Sequence, residues 1–345
     1  MATVSVAMIV KNEEKILDRC LDSLQGIYDE LIIVDTGSVD NTKDIAHKYT
    51  DKVYDFEWCD DFSAARNYAF SKCTMDYIYT ADADEVLDDE NREKFVNLMS
   101  VIDPEIEIVQ MYYDNQLEHG TVYNFNKEYR AKLYKRERHF TFIEPVHEMV
   151  RLEPLVFDSD IAIKHMPLSL HSKRDFSIYK KEIERNGNLS KRLRSMYARE
   201  LYVSGDDEDI NEGAAYFYDA LMNGVLKDDE IKMAESIIAK SARINNDLVK
   251  LMTMSLHNVA DGKASSEVCY ELGLYYMSIN DYNEAFLWYY NAVYETEPEL
   301  SIHVHTDWSL KNMAECMKEL DDIDSYNRYM ALYDEAIKGQ EESFS

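Results

Sequence analysis

Short apolar runs alternate with amphipathic stretches along the first 85 residues. The run at residues 4–10 is rich in β-branched side chains and predicts a buried strand, and the stretch at 15–24 carries its apolar side chains on one helical face. The same alternation predicts further strands at 30–35, 52–56 and 76–80, and helices at 42–49 and 62–73. Strands and helices at this spacing favour βαβ units and a mostly parallel sheet.

The pattern changes twice further along the chain. Residues 101–165 contain three more apolar runs, which predict strands at 106–113, 129–134 and 161–165. After about residue 170, Gly and Pro become scarce, and Tyr and Ala recur at helical spacing. We therefore expect the rest of the chain to be helical.

The helical part contains a repeat signal. Its spacing of small and aromatic side chains is similar to that of the 34-residue tetratricopeptide repeat, and it is carried by Leu272, Gly273, Tyr276, Ala285, Tyr289 and Ala292. Small residues at such positions let two antiparallel helices approach closely. The pattern predicts stacked helical hairpins, and a plain helical bundle is the alternative.

Composition limits the possible functions. The chain has 345 residues, enough for two domains, and its net charge of −30 argues against a protein that coats nucleic acid. Residues 201–345 carry −19 of that charge, whereas residues 127–199 hold 17 basic and 10 acidic side chains. This basic segment either faces a local anion such as a phosphate or is a solvated surface.

The cysteines and the apolar runs indicate a compartment. None of the five cysteines forms a CxxC pair, and no apolar run is long enough for a signal peptide or a membrane span. Reduced thiols are typical of the cytoplasm. We expect a cytoplasmic protein, and peripheral binding at the inner membrane surface stays open.

Acidic residues directly follow two of the predicted strands. Asp82-Ala-Asp84-Glu85 comes after the strand at 76–80, and Asp35 ends the strand at 30–35. In open α/β sheets, ligands bind beyond the carboxyl ends of the strands, and carboxylate oxygens suit Mg²⁺ and Mn²⁺. Solvated acids, or an ordinary capped turn after Asp35, remain the alternatives at this level.

Four motifs occur in order and together carry a resemblance. They are Val6-Ala-Met-Ile-Val-Lys-Asn-Glu-Glu14, Leu31-Ile-Ile-Val-Asp-Thr-Gly-Ser-Val-Asp-Asn-Thr42, Asp61-Phe-Ser-Ala-Ala-Arg-Asn67 and Asp82-Ala-Asp-Glu85. The series resembles the family 2 glycosyltransferases with a GT-A fold, and most closely the bacterial branch with a C-terminal tetratricopeptide region. The resemblance implies a Rossmann-like α/β catalytic domain at residues 1–190 and a helical-repeat domain at 191–340.

The resemblance also implies how a nucleotide-sugar donor is held. In this family, the first strand and its loop hold the nucleotide, the acid after the second strand contacts uracil or ribose, and the arginine of the third motif lies near the nucleotide. The matching residues here are Val10, Lys11, Glu13, Asp35 and Arg66.

The resemblance further implies that the fourth motif and a later histidine bind a metal ion. By resemblance, Asp82 faces the ribose and Asp84 binds the metal, Mn²⁺ or Mg²⁺. His165 ends the predicted strand at 161–165, where similar transferases use a histidine as a further ligand of the metal or diphosphate. A structural role for His165 is the alternative.

The general base is expected in the segment Phe142-Ile-Glu-Pro-Val-His-Glu148. Many family members have an acidic pair there, whereas this chain has His147-Glu148. Glu148 is the first candidate and His147 the second, because either side chain can take a proton from the acceptor.

The resulting prediction is an inverting, metal-dependent transfer of a sugar from a UDP-sugar to a protein, peptide or glycan acceptor. We hypothesise that the acidic helical region holds a protein or peptide acceptor, or forms a homodimer. Two rivals stay open: a sugar nucleotidyltransferase, although residues 7–12 lack the glycine-rich phosphate loop that it needs, and a non-catalytic helical scaffold with a degenerate transferase domain.

Overall fold

The computed structural model describes residues 2–115, 127–150, 155–167, 172–227, 229–260 and 264–342. The chain forms two compact units. The first comprises Met1–His171 and Lys180–Arg185, and the second comprises Ser172–Tyr179 and Asn186–Ser345. The domain boundary expected near residue 190 stays a prediction.

A single eight-stranded sheet organises the first unit. Its strands, in the order β3-β2-β1-β4-β7-β6-β10-β5, are β1 (Val4–Val10), β2 (Glu30–Asp35), β3 (Val53–Asp55), β4 (Tyr77–Ala81), β5 (Glu85–Val86), β6 (Ile108–Asn115), β7 (Lys127–Lys135) and β10 (Val156–His165). Six of these strands run in one direction, and β5 and β7 run in the other. The predicted mostly parallel sheet is therefore confirmed. A separate two-stranded ladder joins β8 (Phe142–Ile143) to β9 (Met149–Val150).

The helices of the first unit follow the predicted alternation. They are α1 (Leu17–Ser23), α2 (Thr42–Ala46), α3 (Phe62–Lys72) and α4 (Asp89–Val101), and α5 (Ser172–Asn186) supplies residues to both units. Helix α2 ends three residues before the predicted end, and α4 was not predicted. Asp61 and Asp88 cap α3 and α4 by accepting the backbone N–H groups of Ala64 and Asn91.

Burial on both faces explains why β1 and β2 are continuous apolar runs. One face of the sheet packs Val6, Met8 and Ile33 into a cluster with α1 and α4, and the other face packs Ala7 and Ile32 with α3. Strands covered on both sides have no polar face to alternate with, as the sequence pattern indicated.

The second unit is helical. After α5 its helices are α6 (Lys191–Ser204), α7 (Asp207–Met222), α8 (Asp229–Ile244), α9 (Leu248–Val259), α10 (Ser266–Ser278), α11 (Tyr282–Tyr294), α12 (Ile302–His305), α13 (Asp307–Glu319) and α14 (Ile323–Glu342). None of the described helices is both long and apolar enough to cross a membrane.

Helices α10 and α11 form the hairpin that the repeat pattern predicts. Ala285, Tyr289 and Ala292 of α11 are buried, and the Tyr289 ring lies directly against Gly273 of α10. A Cβ atom at Gly273 would be 2.5 Å from Cε1 of Tyr289, so only glycine allows this approach.

Replacing Gly273 by alanine tests this packing. The added methyl meets a buried ring, and we expect this clash to outweigh the ~1 kcal/mol that alanine gains over glycine in helix propensity. Gly273→Ala should therefore lower the free energy of unfolding by about 1–3 kcal/mol. In the comparison variant Gly213→Ala, the methyl would lie 2.2 Å from Cδ1 at the end of the buried Leu201 side chain, which is more flexible than a tyrosine ring, so the loss should be smaller. Urea unfolding measures both. A Gly273→Ala protein as stable as the wild type would contradict the close contact.

A buried carboxylate at the start of β2 ties three segments of the first unit together. The Glu30 side chain is 1% exposed, and it accepts hydrogen bonds from the Ser5 hydroxyl and from the backbone N–H and hydroxyl of Thr74. Lys52 Nζ lies 2.6 Å from its Oε1. Burial alone raises the pKa of Glu30, but these donors outweigh burial and lower the pKa to about 2.

The shifted pKa of Glu30 predicts a pH dependence of stability. Because the pKa falls from 4.5 to about 2 on folding, the ionised group stabilises the fold above about pH 4.5, and this contribution disappears as the pH falls towards 2. At neutral pH it is on the order of 3 kcal/mol. In urea unfolding, Glu30→Gln should be less stable at pH 7 and should lose less stability between pH 5 and pH 2, while exposed Glu57→Gln serves as the control. An unchanged pH slope in Glu30→Gln would refute this role.

Candidate active site

Polar side chains gather where three parallel strands end. Val10 of β1 is paired with Asp35 of β2, and Met8 of β1 with Ala81 of β4. The carboxyl ends of β1, β2 and β4 therefore meet at one edge of the sheet, which is where ligands bind in open α/β folds.

The loops after β1 and β2 are tied to each other. Asn12, at a positive φ of 57°, receives a hydrogen bond from the Val39 N–H on its Oδ1 and donates its own N–H to the Ser38 hydroxyl. The buried Asp35 carboxylate accepts the backbone N–H groups of Gly37 and Ser38. Gly37 has a φ of 101°, a conformation that favours glycine. Asp35 thus shapes the turn that follows it.

The three predicted nucleotide contacts at the end of β1 have different surroundings. The Val10 carbonyl accepts the backbone N–H of Thr36 at 2.9 Å and its hydroxyl at 3.1 Å. The Glu13 backbone N–H donates to Thr42 Oγ1 at 2.7 Å, and its carbonyl begins α1. Lys11, between them, is exposed.

The acidic turn after β4 is closed by its own residues. The Asp82 N–H donates to Glu85 Oε2 at 3.2 Å, and the Glu85 N–H donates to the Asp82 carbonyl at 3.1 Å. Glu85 then begins β5 and pairs with His165 at the end of β10. This pairing brings His165 Nε2 to 3.1 Å from Asp84 Oδ2, so the structure joins two residues 81 positions apart.

Arg66 connects the turn to a second segment. Its guanidinium donates to Thr80 Oγ1 at 2.7 Å and to Asp82 Oδ1 at 2.9 Å, and its Nε is hydrogen-bonded to Glu148 Oε1. Helix α3 positions Arg66, and the next residue, Asn67, holds the Phe142 backbone through two hydrogen bonds. Arg66, Asp82 and Glu148 therefore form one cluster.

Two cations determine the charge of the turn. Lys132 of β7 is buried, with Nζ 2.5 Å from Glu85 Oε1 and 3.5 Å from Asp82 Oδ2. Burial raises the pKa of Asp82, but the positive charges of Arg66 and Lys132 outweigh burial and hold this pKa well below its usual range. Burial raises the pKa of Glu85 to about 7 against the opposing charge of Lys132, and the charges of Asp82 and Asp84 add to the rise.

Sequence reasoning missed Lys132 and Thr80 as parts of this site, and it gave Glu85 no role although Glu85 lies in the fourth motif. Lys132 gave a weak signal, since it is a charged residue inside the apolar strand pattern Ala131-Lys132-Leu133-Tyr134. Its partners became visible only once β7 was placed antiparallel to β4.

The two base candidates are adjacent but differ in setting. The Glu148 side chain is 12% exposed and bonded to Arg66. His147 is half-buried and has a φ of 50°. The segment that carries them is held near α3, because the Phe62 N–H donates to the Pro145 carbonyl at 2.9 Å.

Asp84 and His165, the two predicted metal ligands, are hydrogen-bonded to each other, and their spacing can be compared with that of two ligands of a divalent ion. Adjacent ligands of an octahedral ion at about 2.1 Å are about 3.0 Å apart, close to the 3.1 Å between Asp84 Oδ2 and His165 Nε2. Within the described parts of the chain, no group of three or more His, Cys, Asp or Glu side chains is arranged to hold a metal. The pair fits an ion whose other ligands are substrate oxygens and water.

Comparison with known proteins agrees with the motifs. Residues 5–154 match the model of glycosyl transferase family 2. Over 150 residues the chain is 37% identical to a TPR repeat-containing protein of Synechococcus elongatus, covering 44% of this chain and 36% of that protein. It is 25% identical over 218 residues to the SPbeta prophage-derived glycosyltransferase SunS of Bacillus subtilis, covering 60% of this chain and 51% of that one. The chain thus spans about half or less of these relatives.

Among solved structures, the comparison finds glucosyl-3-phosphoglycerate synthase from Mycobacterium tuberculosis in complex with Mg²⁺ and uridine diphosphate. It has 17% sequence identity and a TM-score of 0.38 over 55% of this chain and 81% of that chain. The family match, together with the four motifs at one sheet edge, identifies residues 5–154 as a family 2 glycosyltransferase domain.

Proposed function

We propose that this protein transfers a sugar from a nucleotide diphosphate donor, a UDP-sugar, to an acceptor nucleophile in a metal-dependent, inverting reaction. One observation carries the proposal: residues from four separate elements of a family 2 domain meet at one sheet edge, with Asp82 bound to Arg66 and Asp84 next to His165. This is the edge where a nucleotide binds in α/β folds.

The donor's nucleotide lies over the ends of β1 and β2 in this proposal. Val10, Lys11 and Glu13 line one side, and Asp35 and the N–H groups of its turn lie on the other. The exposed Lys11 supplies a positive charge for a phosphate. Asp82, fixed by Arg66, accepts a ribose hydroxyl.

Asp84 and His165 hold the metal, Mn²⁺ or Mg²⁺, in this proposal. Held by these two side chains, the ion would supply positive charge to offset the negative charge that grows on the leaving diphosphate. Imidazole nitrogen is a better ligand for Mn²⁺ than for Mg²⁺, which prefers oxygen, so His165 favours Mn²⁺.

The transfer is a direct displacement at the anomeric carbon. The acceptor atom forms a bond to C1 of the sugar, and the bond from C1 to the β-phosphate oxygen breaks with its electron pair going to the diphosphate. Glu148, or His147 in its place, takes the acceptor's proton. Arg66 is hydrogen-bonded to both Glu148 and Asp82, so it fixes the position of the base relative to the donor site.

The acceptor is a protein or peptide side chain, or a glycan. The helical unit, with its stacked hairpins, provides a surface of the kind that binds peptides or a second copy of the chain. We place the reaction in the cytoplasm, where nucleotide sugars are available. The five cysteines are free thiols, as is typical of that compartment.

Substituting Asp84 tests the metal and the donor together. Asp84→Ala removes one of two preset ligands, so UDP affinity with Mn²⁺ should fall at least about tenfold, and UDP-sugar hydrolysis should fall by several orders of magnitude. Isothermal titration with UDP and Mn²⁺, and hydrolysis with and without Mn²⁺, measure this. Asp89→Ala, at an exposed site in α4, is the control. Unchanged binding and turnover in Asp84→Ala would exclude the assignment, and absence of turnover in the wild type would favour the scaffold.

A second pair of substitutions separates the base from the binding residues. Glu148→Gln keeps a hydrogen-bond acceptor for Arg66, so donor and metal should still bind, while transfer falls roughly a hundredfold to ten-thousandfold. His147→Ala should retain most of the rate. The reverse result, with normal transfer in Glu148→Gln and loss in His147→Ala, would make His147 the base.

A further inference from the structure

Two acids of the same turn have different surroundings. Asp82 and Asp84 are two residues apart, and both follow β4, where either carboxylate could bind a cation. Each Asp82 oxygen faces a cation, Arg66 at 2.9 Å from Oδ1 and Lys132 at 3.5 Å from Oδ2. Asp84 is instead paired with His165.

The position of Lys132 is fixed by the sheet and by Glu85. Strand β7 runs antiparallel to β4 with Leu133 opposite Tyr79, so the next residue, Lys132, lies beside the end of β4. Its side chain is 5% exposed, its ammonium contacts Glu85 at 2.5 Å, and it lies over the Tyr113 ring at 5.5 Å. A buried ammonium held in this way acts at nearly full strength, because solvent screens it little.

We propose that Lys132 is a positioning residue that reserves Asp82 for the donor by keeping it out of the metal's coordination shell. The lysine ammonium lies 3.5 Å from Asp82 Oδ2, so a divalent ion bound to that oxygen would stand close to a buried positive charge that repels it. The ion would therefore be held by Asp84 and His165 alone. Asp82 would keep its hydrogen bond to Arg66. This inference rests on the metal site of the proposed function.

The proposal predicts an unusual combination of effects in Lys132→Met. Removing a positive charge near the metal, and releasing a second carboxylate to coordinate it, both strengthen metal binding. We expect Mn²⁺ to bind at least about tenfold more tightly, while UDP-sugar hydrolysis falls because Asp82 has left its donor-binding position. A lysine that only stabilises the turn would give weaker metal binding and weaker activity together, whereas a lysine that acts only through its charge would give a gain in affinity that does not depend on Asp82.

The experiment titrates the 345-residue chain with Mn²⁺ alone and measures the free ion by electron paramagnetic resonance. The matched control is Lys135→Met on the same strand, whose ammonium binds the Pro104 carbonyl and should leave the affinity unchanged. If Lys132→Met raises the Mn²⁺ affinity much less in the Asp82→Asn background than in the wild type, the released ligand is Asp82. Retention of the full gain in that background would overturn the proposal, as would equal or weaker Mn²⁺ binding in folded Lys132→Met.

A further variant keeps the test decisive if Lys132→Met does not fold. Combining it with Glu85→Gln removes both members of the buried ion pair and leaves an oxygen to accept the Asp82 N–H. Tighter Mn²⁺ binding is expected here as well, and its absence counts against the proposal. Asp84→Asn tests the metal site itself: if that variant still binds Mn²⁺ normally, the metal site of the proposed function is wrong, whatever Lys132 does.

Discussion

The site depends on the pairing of buried carboxylates with two cations. Arg66 binds Thr80, Asp82 and Glu148, which come from the end of β4, the following turn and the segment before β9. Lys132 forms an ion pair with Glu85 and lies near Oδ2 of Asp82, the oxygen that Arg66 does not contact. Unpaired buried charges are strongly unfavourable, so these acids can share one edge of the sheet only because α3 and β7 deliver the cations there.

The sequence predicted the framework well for a physical reason. Strands β1 and β2 match the predicted bounds because they are buried on both faces and read as unbroken apolar runs. The close approach of α10 and α11 at Gly273 was also expected from the repeat spacing, whereas the ring that it meets, Tyr289, was found only in the structure. Local signals of this kind involve neighbours in sequence, and helix ends, such as that of α2, are less sharply encoded.

Other parts of the site could not be derived from local patterns. The strand-end acids and Arg66 were found because they lie in motifs. The position of Lys132 in the site depends instead on the pairing of β7 with β4, which are some fifty residues apart in the chain. The contact of Asp84 with His165 likewise exists because two-residue β5 reverses direction against β10, a pairing too short to leave a pattern. Long-range pairing of this kind is a property of the tertiary fold, and residue spacing does not report it.

Three aspartates lie at one edge of the sheet, and each has different hydrogen-bonding and charged neighbours. These neighbours, more than the residue type, determine the role that each carboxylate is suited to. Asp35 accepts backbone N–H groups of its own turn, and these bonds hold the loop shape. Asp82 faces two cations, which keep it ionised and fixed, a state suited to accepting a neutral hydroxyl. Asp84 faces an imidazole, whose nitrogen can itself coordinate a metal, so a cation arriving there gains two ligands at once. In the proposed function, the same type of side chain thus serves as turn former, hydroxyl acceptor or metal ligand according to the groups placed beside it.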